Sequence, residues 1–315
     1  MNRAHGLVLA LMLTILSCFA TILMPQIAGA AGDRTLHILC TTFPLYQITR
    51  NLSQGRDTVQ VDLLLPAQLG CPHDYALTPK DMQLLARAEV LIVNGLGLEE
   101  FLGAPIQKAN PALRLIDSSK GVDGLMPEDS DGEPGRDAHE HQSANPHLFV
   151  SPRLTAQLAS HIAAELGRID PDGADFYRVN GQAYAAKMMK LDQEMVALGK
   201  TLVNKRIITQ HGVFDYLARD LGLEVVAVVA AHAGQEPSAA EMLALIKTAK
   251  SKQAGAIFAE PQYPAKVVDT IAKEAGIAAA TLDPVATGPE NAGLDYYEKV
   301  MAKNMQILKA TLGVQ

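Results

Sequence analysis

Four side chains of the kinds that bind transition metals stand where predicted strands or a surface loop end. They lie in both halves of the chain and are His73, His147, His211 and Asp283. Ligands of open parallel sheets bind beside the carboxyl ends of the strands, so residues at these points can meet although they are far apart in sequence. Three imidazoles and one carboxylate suit a tetrahedral Zn(II) site. Four protein ligands leave no position for an activated water, which favours metal binding over hydrolysis.

Alternating strands and helices are predicted to position these residues. Apolar runs predict strands at 35–42, 59–65, 90–93, 206–209, 224–229, 256–259 and 278–282. Helical spacing separates them, at 46–52, from Thr78 onward, near 98–102, and at 214–221, 239–252, 265–275 and 294–312. This alternation indicates parallel pairing through crossover helices. The predicted fold class is α/β, with two lobes that are each a parallel sheet flanked by helices.

One long rigid helix is predicted to join the lobes. Apolar residues recur at steps of mostly three or four between Phe176 and Leu202, and no proline interrupts the stretch that begins at Gly173. At 1.5 Å per residue this helix would reach roughly 40 Å. The predicted organisation is an N-terminal lobe at 31–172, a connecting helix at 173–203 and a C-terminal lobe at 204–315.

The first thirty residues have the composition of an export signal. Arg3 precedes an apolar run, and Ala28-Gly29-Ala30 supplies the small residues of a cleavage site after Ala30. The alternatives are a retained membrane anchor and a lipoprotein attached at Cys18. The mature chain has no other stretch that is long and apolar enough to cross a bilayer. We therefore expect a soluble protein in the periplasm or another extracytoplasmic compartment.

Charge and cysteine content narrow the function further. The net charge of -7 argues against nucleic acid as a partner and suits the capture of cations. Cys40 and Cys71 could form a disulfide in an oxidising compartment. The alternatives are a pair of small buried residues, or a thiolate ligand at Cys71.

Several short motifs surround the candidate ligands. They are Pro72-His73-Asp74-Tyr75 with Leu77-Thr78-Pro79 and Asp81, Asn94-Gly95-Leu96-Gly97-Leu98-Glu99, Asn145-Pro146-His147, Ile208-Thr209-Gln210-His211-Gly212 with Phe214 and Tyr216, and Phe258-Ala259-Glu260-Pro261-Gln262 with Leu282-Asp283-Pro284. Together they resemble the metal-binding receptors of bacterial zinc and manganese ABC importers, the cluster A-I binding proteins. The resemblance covers essentially the whole mature chain.

This resemblance implies a ligand set, a cargo and partners. The implied ligands are His73, His147, His211 and Asp283, the same four residues. The histidine at position 211 resembles the residue found in zinc members of the family, whereas manganese members commonly have glutamate there. The implied cargo is Zn(II), with a receptor for manganese or iron as the alternative. The implied partners are a membrane permease and its ATPase, which a monomeric receptor would serve.

Two classes of rival function follow from the same residues. A secreted zinc hydrolase would use these donors with one position left to water, but the sequence has no His-Glu-x-x-His helix and no serine nucleophile motif. An adhesion protein of the same fold would use the metal only for structure. Neither rival is an importer receptor, and the predicted protein is not an enzyme.

The acidic loop at 121–146 and the residues around His147 show variation on the family pattern. The loop looks like a short version of the histidine-rich loop of zinc members, in which His139 or His141 would collect or hand over metal. The alternative is a solvated loop with incidental histidines.

The family usually has aspartate, tryptophan and aspartate where this chain has Asn145, Phe149 and Ser151. Those positions bear on the support of His147 rather than on the ligand itself. Glu260 is predicted to orient one of the histidines, with a role as an alternative ligand left open.

Overall fold

The computed structural model describes residues 35–70, 72, 75–103, 106, 109–127, 144–230 and 236–314 of the 315-residue chain. The strands in these ranges are β1 (Leu36–Cys40), β2 (Val59–Leu63), β3 (Val90–Val93), β4 (Arg114–Asp117), β5 (Arg206–Thr209), β6 (Glu224–Val228), β7 (Ala256–Ala259) and β8 (Ala278–Thr281). The helices are α1 (Phe43–Leu52), α2 (Pro79–Arg87), α3 (Pro152–Ile169), α4 (Ala174–Thr201), α5 (Asp215–Leu221), α6 (Ala239–Ser251), α7 (Lys266–Ala275) and α8 (Tyr296–Leu312).

The strands form two four-stranded sheets with the same topology. Their orders are β2-β1-β3-β4 and β6-β5-β7-β8, and every pair within them is parallel. The crossovers reverse direction between β1 and β3 and again between β5 and β7, and such reversals open a crevice at the carboxyl ends of the strands. The predicted fold class is confirmed.

Burial explains which strands the sequence reveals. All four residues of β3 and all four of β7 are buried, and both strands are continuous apolar runs, as expected for strands covered on both faces. In contrast, β4 is an edge strand of mixed character in which Leu115 is 59% exposed. The apolar pattern did not predict β4, because an edge strand needs fewer buried side chains.

Helix α3 is a second element that was not predicted from the sequence. Its buried leucines and isoleucine recur at every fourth position, at Leu154, Leu158, Ile162 and Leu166. Ser151 caps the helix by accepting a hydrogen bond from the Leu154 N–H at 3.2 Å. This spacing is a helical signal that the sequence carried.

The long helix α4 confirms the predicted connector. It has 28 residues, which correspond to roughly 42 Å, and a 3-10 turn at Pro171–Gly173 leads into it. Gly181 lets it approach α3 closely, because a side chain there would contact Ala163. Near its other end, Gly199 leaves room for the carbonyl of Leu221.

The two sheets are tied by packing and by the chain that follows β8. One buried apolar cluster includes Ile38 in β1 and Phe258 in β7, so it is shared by both halves. Residues 284–295, which we call the strap, run from β8 to the N-terminal half. The Gly288 N–H donates to the Ala67 carbonyl at 3.0 Å, and Arg50 Nη1 donates to the Ala292 carbonyl at 2.7 Å. Among the described helices, none has the length and apolar character of a membrane span.

Candidate metal site

Two of the predicted ligands lie next to each other. The ring centroids of His147 and His211 are 5.2 Å apart, with an angle of 81° between the ring planes. Two imidazoles that bind one tetrahedral zinc through Nε2, at about 2.05 Å each, would have centroids about 5 Å apart. Both side chains are nearly buried, with residue exposures of 4% and 2%. The pair therefore has the spacing of two ligands on one metal ion.

His211 is oriented by a carboxylate from the neighbouring strand. It follows β5, and its Nδ1 lies 2.5 Å from Oε1 of Glu260, which follows β7 at the reversal in strand order. Gln262 Nε2 donates to the second Glu260 oxygen at 2.7 Å, so that carboxylate is itself held in place. An ionised carboxylate only accepts hydrogen bonds, which puts the proton of a neutral imidazole on Nδ1 and leaves the Nε2 lone pair for a metal. The predicted role of Glu260, to orient one of the histidines, would use this contact and stays a prediction.

His147 is oriented by an amide rather than a carboxylate. Asn145 Oδ1 lies 2.8 Å from its Nδ1 and also accepts from its backbone N–H at 3.0 Å. Asn94, which follows β3, donates through Nδ2 to the Pro146 carbonyl at 2.8 Å. The N-terminal sheet thus fixes the backbone immediately before His147.

Asp283 follows β8 in a constrained turn. Its Oδ1 accepts from the Val285 N–H at 2.8 Å, and its own N–H donates to Asn304 Oδ1 at 3.0 Å. Val285 has a φ of 63°, which is unusual for a β-branched residue. Burial raises the pKa of Asp283, and the charge of Glu260 raises it further, while the Val285 N–H and the charge of Lys303 lower it. The carboxyl groups of Asp283 and Glu260 therefore interact electrostatically.

The described residues contain only part of the predicted ligand set. His73, His139, His141 and Cys71 lie outside the described residues. Within the described ranges, no three histidine, cysteine, aspartate or glutamate side chains come together as a metal-binding group. Hence the structure brings His147 and His211 together, and the ligand roles of all four residues stay predictions.

Cys40 is fully buried, and within the part of the chain that the structure describes its thiol is free. Burial raises its pKa to about 12, which keeps it protonated at neutral pH. Its predicted partner Cys71 lies outside the described residues, so the disulfide stays a prediction.

Several supporting residues were not predicted from sequence. Glu99 is one of them, and its Oε1 accepts from Thr41 Oγ1 at 2.6 Å and from the Asn94 N–H at 2.7 Å. Asn304 is another, because its Oδ1 accepts from the Asp283 N–H. It lies on α8, far from any motif. Asn94 had a detectable signal, since a polar residue directly after an apolar strand stands at the carboxyl edge of the sheet. Glu99 follows it by five positions in the same motif. Asn304 had no such signal.

Comparison with known proteins agrees with this fold. A profile described as "ZnuA: Zinc-uptake complex component A periplasmic" matches residues 38–311. The high-affinity zinc uptake system protein ZnuA of Bacillus subtilis is 32% identical over 294 residues, with 91% of each chain covered. The zinc-binding lipoprotein AdcA of Streptococcus pneumoniae is 28% identical over 286 residues, which are 89% of this chain and 56% of that protein.

Solved structures show the same likeness. A crystal structure of ZnuA is 31% identical with a TM-score of 0.73, and the match covers 88% of this chain and 99% of that one. FpvC from Pseudomonas aeruginosa, solved in complex with Ni2+, is 30% identical with a TM-score of 0.75 over 88% of this chain and 97% of that one. The chain belongs to the ZnuA family, the zinc-type branch of the cluster A-I solute-binding proteins.

Proposed function

We propose that this protein binds Zn(II) between its two lobes outside the cytoplasm and delivers the ion to an ABC importer made of a permease and an ATPase. The observation that carries the proposal is the pair of buried imidazoles at 5.2 Å, each with an oxygen acceptor at Nδ1. With each Nδ1 facing an oxygen acceptor, the lone pair of a neutral imidazole is on Nε2, which is the atom proposed to bind the metal. His73 and Asp283 are the proposed further ligands.

The donor type supports zinc as the cargo. Imidazole nitrogen suits zinc better than calcium or magnesium, which prefer oxygen ligands. The names of ZnuA and AdcA state that those relatives take up or bind zinc. FpvC structures contain Ni2+ and Mn2+, so competition between metals is part of the test.

Capture and release follow from the chemistry of the ligands. The ion exchanges its waters for imidazole nitrogens, which must be neutral to bind, so metal affinity falls as the pH decreases. Delivery to the importer requires a change in the ligand geometry when the receptor docks. Export rests on the predicted signal at residues 1–30 and on the periplasmic description of the family.

The test is calorimetric titration of metal-free protein with Zn(II). We expect His147→Ala and His211→Ala each to weaken binding by more than about a hundredfold, because each removes a ligand rather than a supporting residue. His161→Ala is the matched control, since His161 lies on α3 and supports no predicted ligand. Binding by either ligand variant as tight as that of the control would overturn the proposal. Tighter binding of Mn(II) than of Zn(II) would overturn zinc as the cargo.

A further inference from the structure

We propose that Asn145 is a positioning residue that links the two ligand-bearing loops, and that its amide is matched to the carboxylate of Asp215. Its oxygen orients His147, and its nitrogen holds the segment that directly follows His211. This inference rests on the proposed function for its consequence on zinc affinity, whereas the pairing itself rests on the hydrogen bonds.

The oxygen of the amide fixes the tautomer of His147. A backbone N–H can only donate, so the side-chain atom that meets the His147 N–H at 3.0 Å must be Oδ1 of Asn145. The same oxygen lies 2.8 Å from His147 Nδ1. A neutral His147 therefore carries its proton on Nδ1 and presents an unprotonated Nε2.

The nitrogen of the amide reaches across to the second loop. Asn145 Nδ2 donates to the Gly212 carbonyl at 2.8 Å and to Asp215 Oδ2 at 2.9 Å. Both partners can only accept, which independently gives the amide the same orientation. Because Gly212 follows His211 directly, one side chain sets the position of both imidazoles.

Gly212 leaves room for the Asp215 carboxylate beside this link. A side-chain carbon at this position would lie 3.0 Å from Asp215 Oδ2 and 3.6 Å from Asn145 Nδ2. Tyr216 strengthens the same link, because its hydroxyl donates to the Asn145 carbonyl at 2.8 Å. Asn145 thus contacts three positions that follow His211, which are Gly212, Asp215 and Tyr216.

The charge of Asp215 explains why an amide is suitable at position 145. A carboxylate there would still accept from His147, but its second oxygen would face the Asp215 carboxylate and the Gly212 carbonyl without a proton to donate. Two carboxylates at hydrogen-bond distance repel each other strongly when both are ionised. The loops would then separate, and the imidazoles with them.

Exchange of the two side chains tests the match. Zinc affinity is measured by competition with a chromophoric chelator for wild type, Asn145→Asp, Asp215→Asn and the double variant. We expect Asn145→Asp to weaken binding on the order of a hundredfold, in the upper range for a residue that supports a ligand. The double variant should recover at least about tenfold of that loss, because the amide introduced at position 215 would donate to the carboxylate introduced at position 145. Asp215→Asn alone controls for the other contacts of Asp215.

Nitrogen NMR of the imidazoles gives a readout that needs no zinc. The wild type should show His147 protonated at Nδ1, assigned with His147→Ala, and Asn145→Ala should lose that preference. The proposal is overturned if Asn145→Asp binds zinc as wild type does, or if the double variant binds no better than Asn145→Asp. If Asn145→Asp does not fold, folding of the double variant supports the match and its failure to fold contradicts it. A wild type that binds no zinc would reject the proposed function, while the NMR result would still decide the role of Asn145.

Discussion

At the scale of single residues, His147 and His211 are both oriented by an oxygen acceptor at Nδ1, but the two acceptors differ in charge. His211 faces the carboxylate of Glu260, whereas His147 faces the neutral amide of Asn145. A carboxylate partner makes an imidazole a stronger donor and stabilises the positive charge of the bound metal. Glu260 should therefore contribute to zinc affinity through His211, although it is not one of the four predicted ligands.

Substitution of Glu260 tests this contribution. Glu260→Gln keeps an acceptor for His211 Nδ1 but removes the charge, and we expect zinc affinity to fall about tenfold; Glu260→Ala should cost up to about a hundredfold. Calorimetry provides the measurement, with Glu274→Gln on the exposed face of α7 as the control. Unchanged affinity in Glu260→Ala would show that His211 is held by other contacts.

At the scale of elements, the turn after β3 contains a partly buried acid, Glu99. Glu99 bonds Thr41, Asn94 and the Gly95 N–H, and Asn94 in turn holds the Pro146 carbonyl. Burial raises the pKa of Glu99 above its ordinary value, and these hydrogen bonds only partly oppose the shift. The folded protein therefore binds this proton more tightly than the unfolded chain.

That pKa shift predicts a pH dependence. Stability from the protonated Glu99 is fully present below the unfolded pKa of about 4.3 and is lost as pH rises through the higher folded pKa. Relative to Glu99→Gln, the wild type should gain free energy of unfolding as pH falls from neutral toward 4. Urea unfolding of both metal-free proteins at several pH values measures the difference. A difference that stays constant, or shrinks toward low pH, would contradict the raised pKa.

The close crossing of α4 and α5 predicts a second effect at this scale. In an open helical position Gly→Ala stabilises by roughly 0.5–1 kcal/mol, but a side chain at Gly199 would collide with the backbone of Leu221. We expect Gly199→Ala to lower the free energy of unfolding by about 1–3 kcal/mol. Val179→Ala, on an exposed position of the same helix, should change it by less than about 0.5 kcal/mol. Stabilisation by Gly199→Ala would mean that α5 can move away at no cost.

At the scale of the whole molecule, three features limit motion between the lobes. The long helix α4, the shared apolar cluster and the strap all connect the N-terminal and C-terminal sheets. Hinge closure needs a few residues that absorb large backbone changes, and these connections leave little room for it. We expect metal binding to stiffen the molecule with little closure.

Zinc addition and removal test this expectation. At a free concentration of one hundred times Kd, zinc should stabilise the folded state by about 2.7 kcal/mol and raise Tm, and a chelator should reverse the rise. The radius of gyration from small-angle scattering should show no resolvable change between the two states. His211→Ala should show a much smaller rise in Tm at the same zinc concentration. A marked decrease in the radius of gyration with zinc would contradict a rigid connection.

Elements with strong local patterns could be predicted from the amino-acid sequence. The fully apolar strands β3 and β7 and the uninterrupted helix α4 are readable because burial dictates side-chain type along a continuous segment. Histidines placed after strands also indicated a metal site, since parallel sheets bring their carboxyl ends together.

The sequence predicted that Glu260 orients a histidine and that Asn145 bears on the support of His147, but the atoms that they contact follow only from the folded chain. Asn145, the partner of His147, is far along the chain from Glu260, the partner of His211. The hydrogen bonds from Asn145 to Gly212 and Asp215 span about seventy positions. No local pattern encodes such a pair, because its energy arises from atoms that meet only when both lobes are folded. The same reason hides Asn304, which reaches Asp283 from α8.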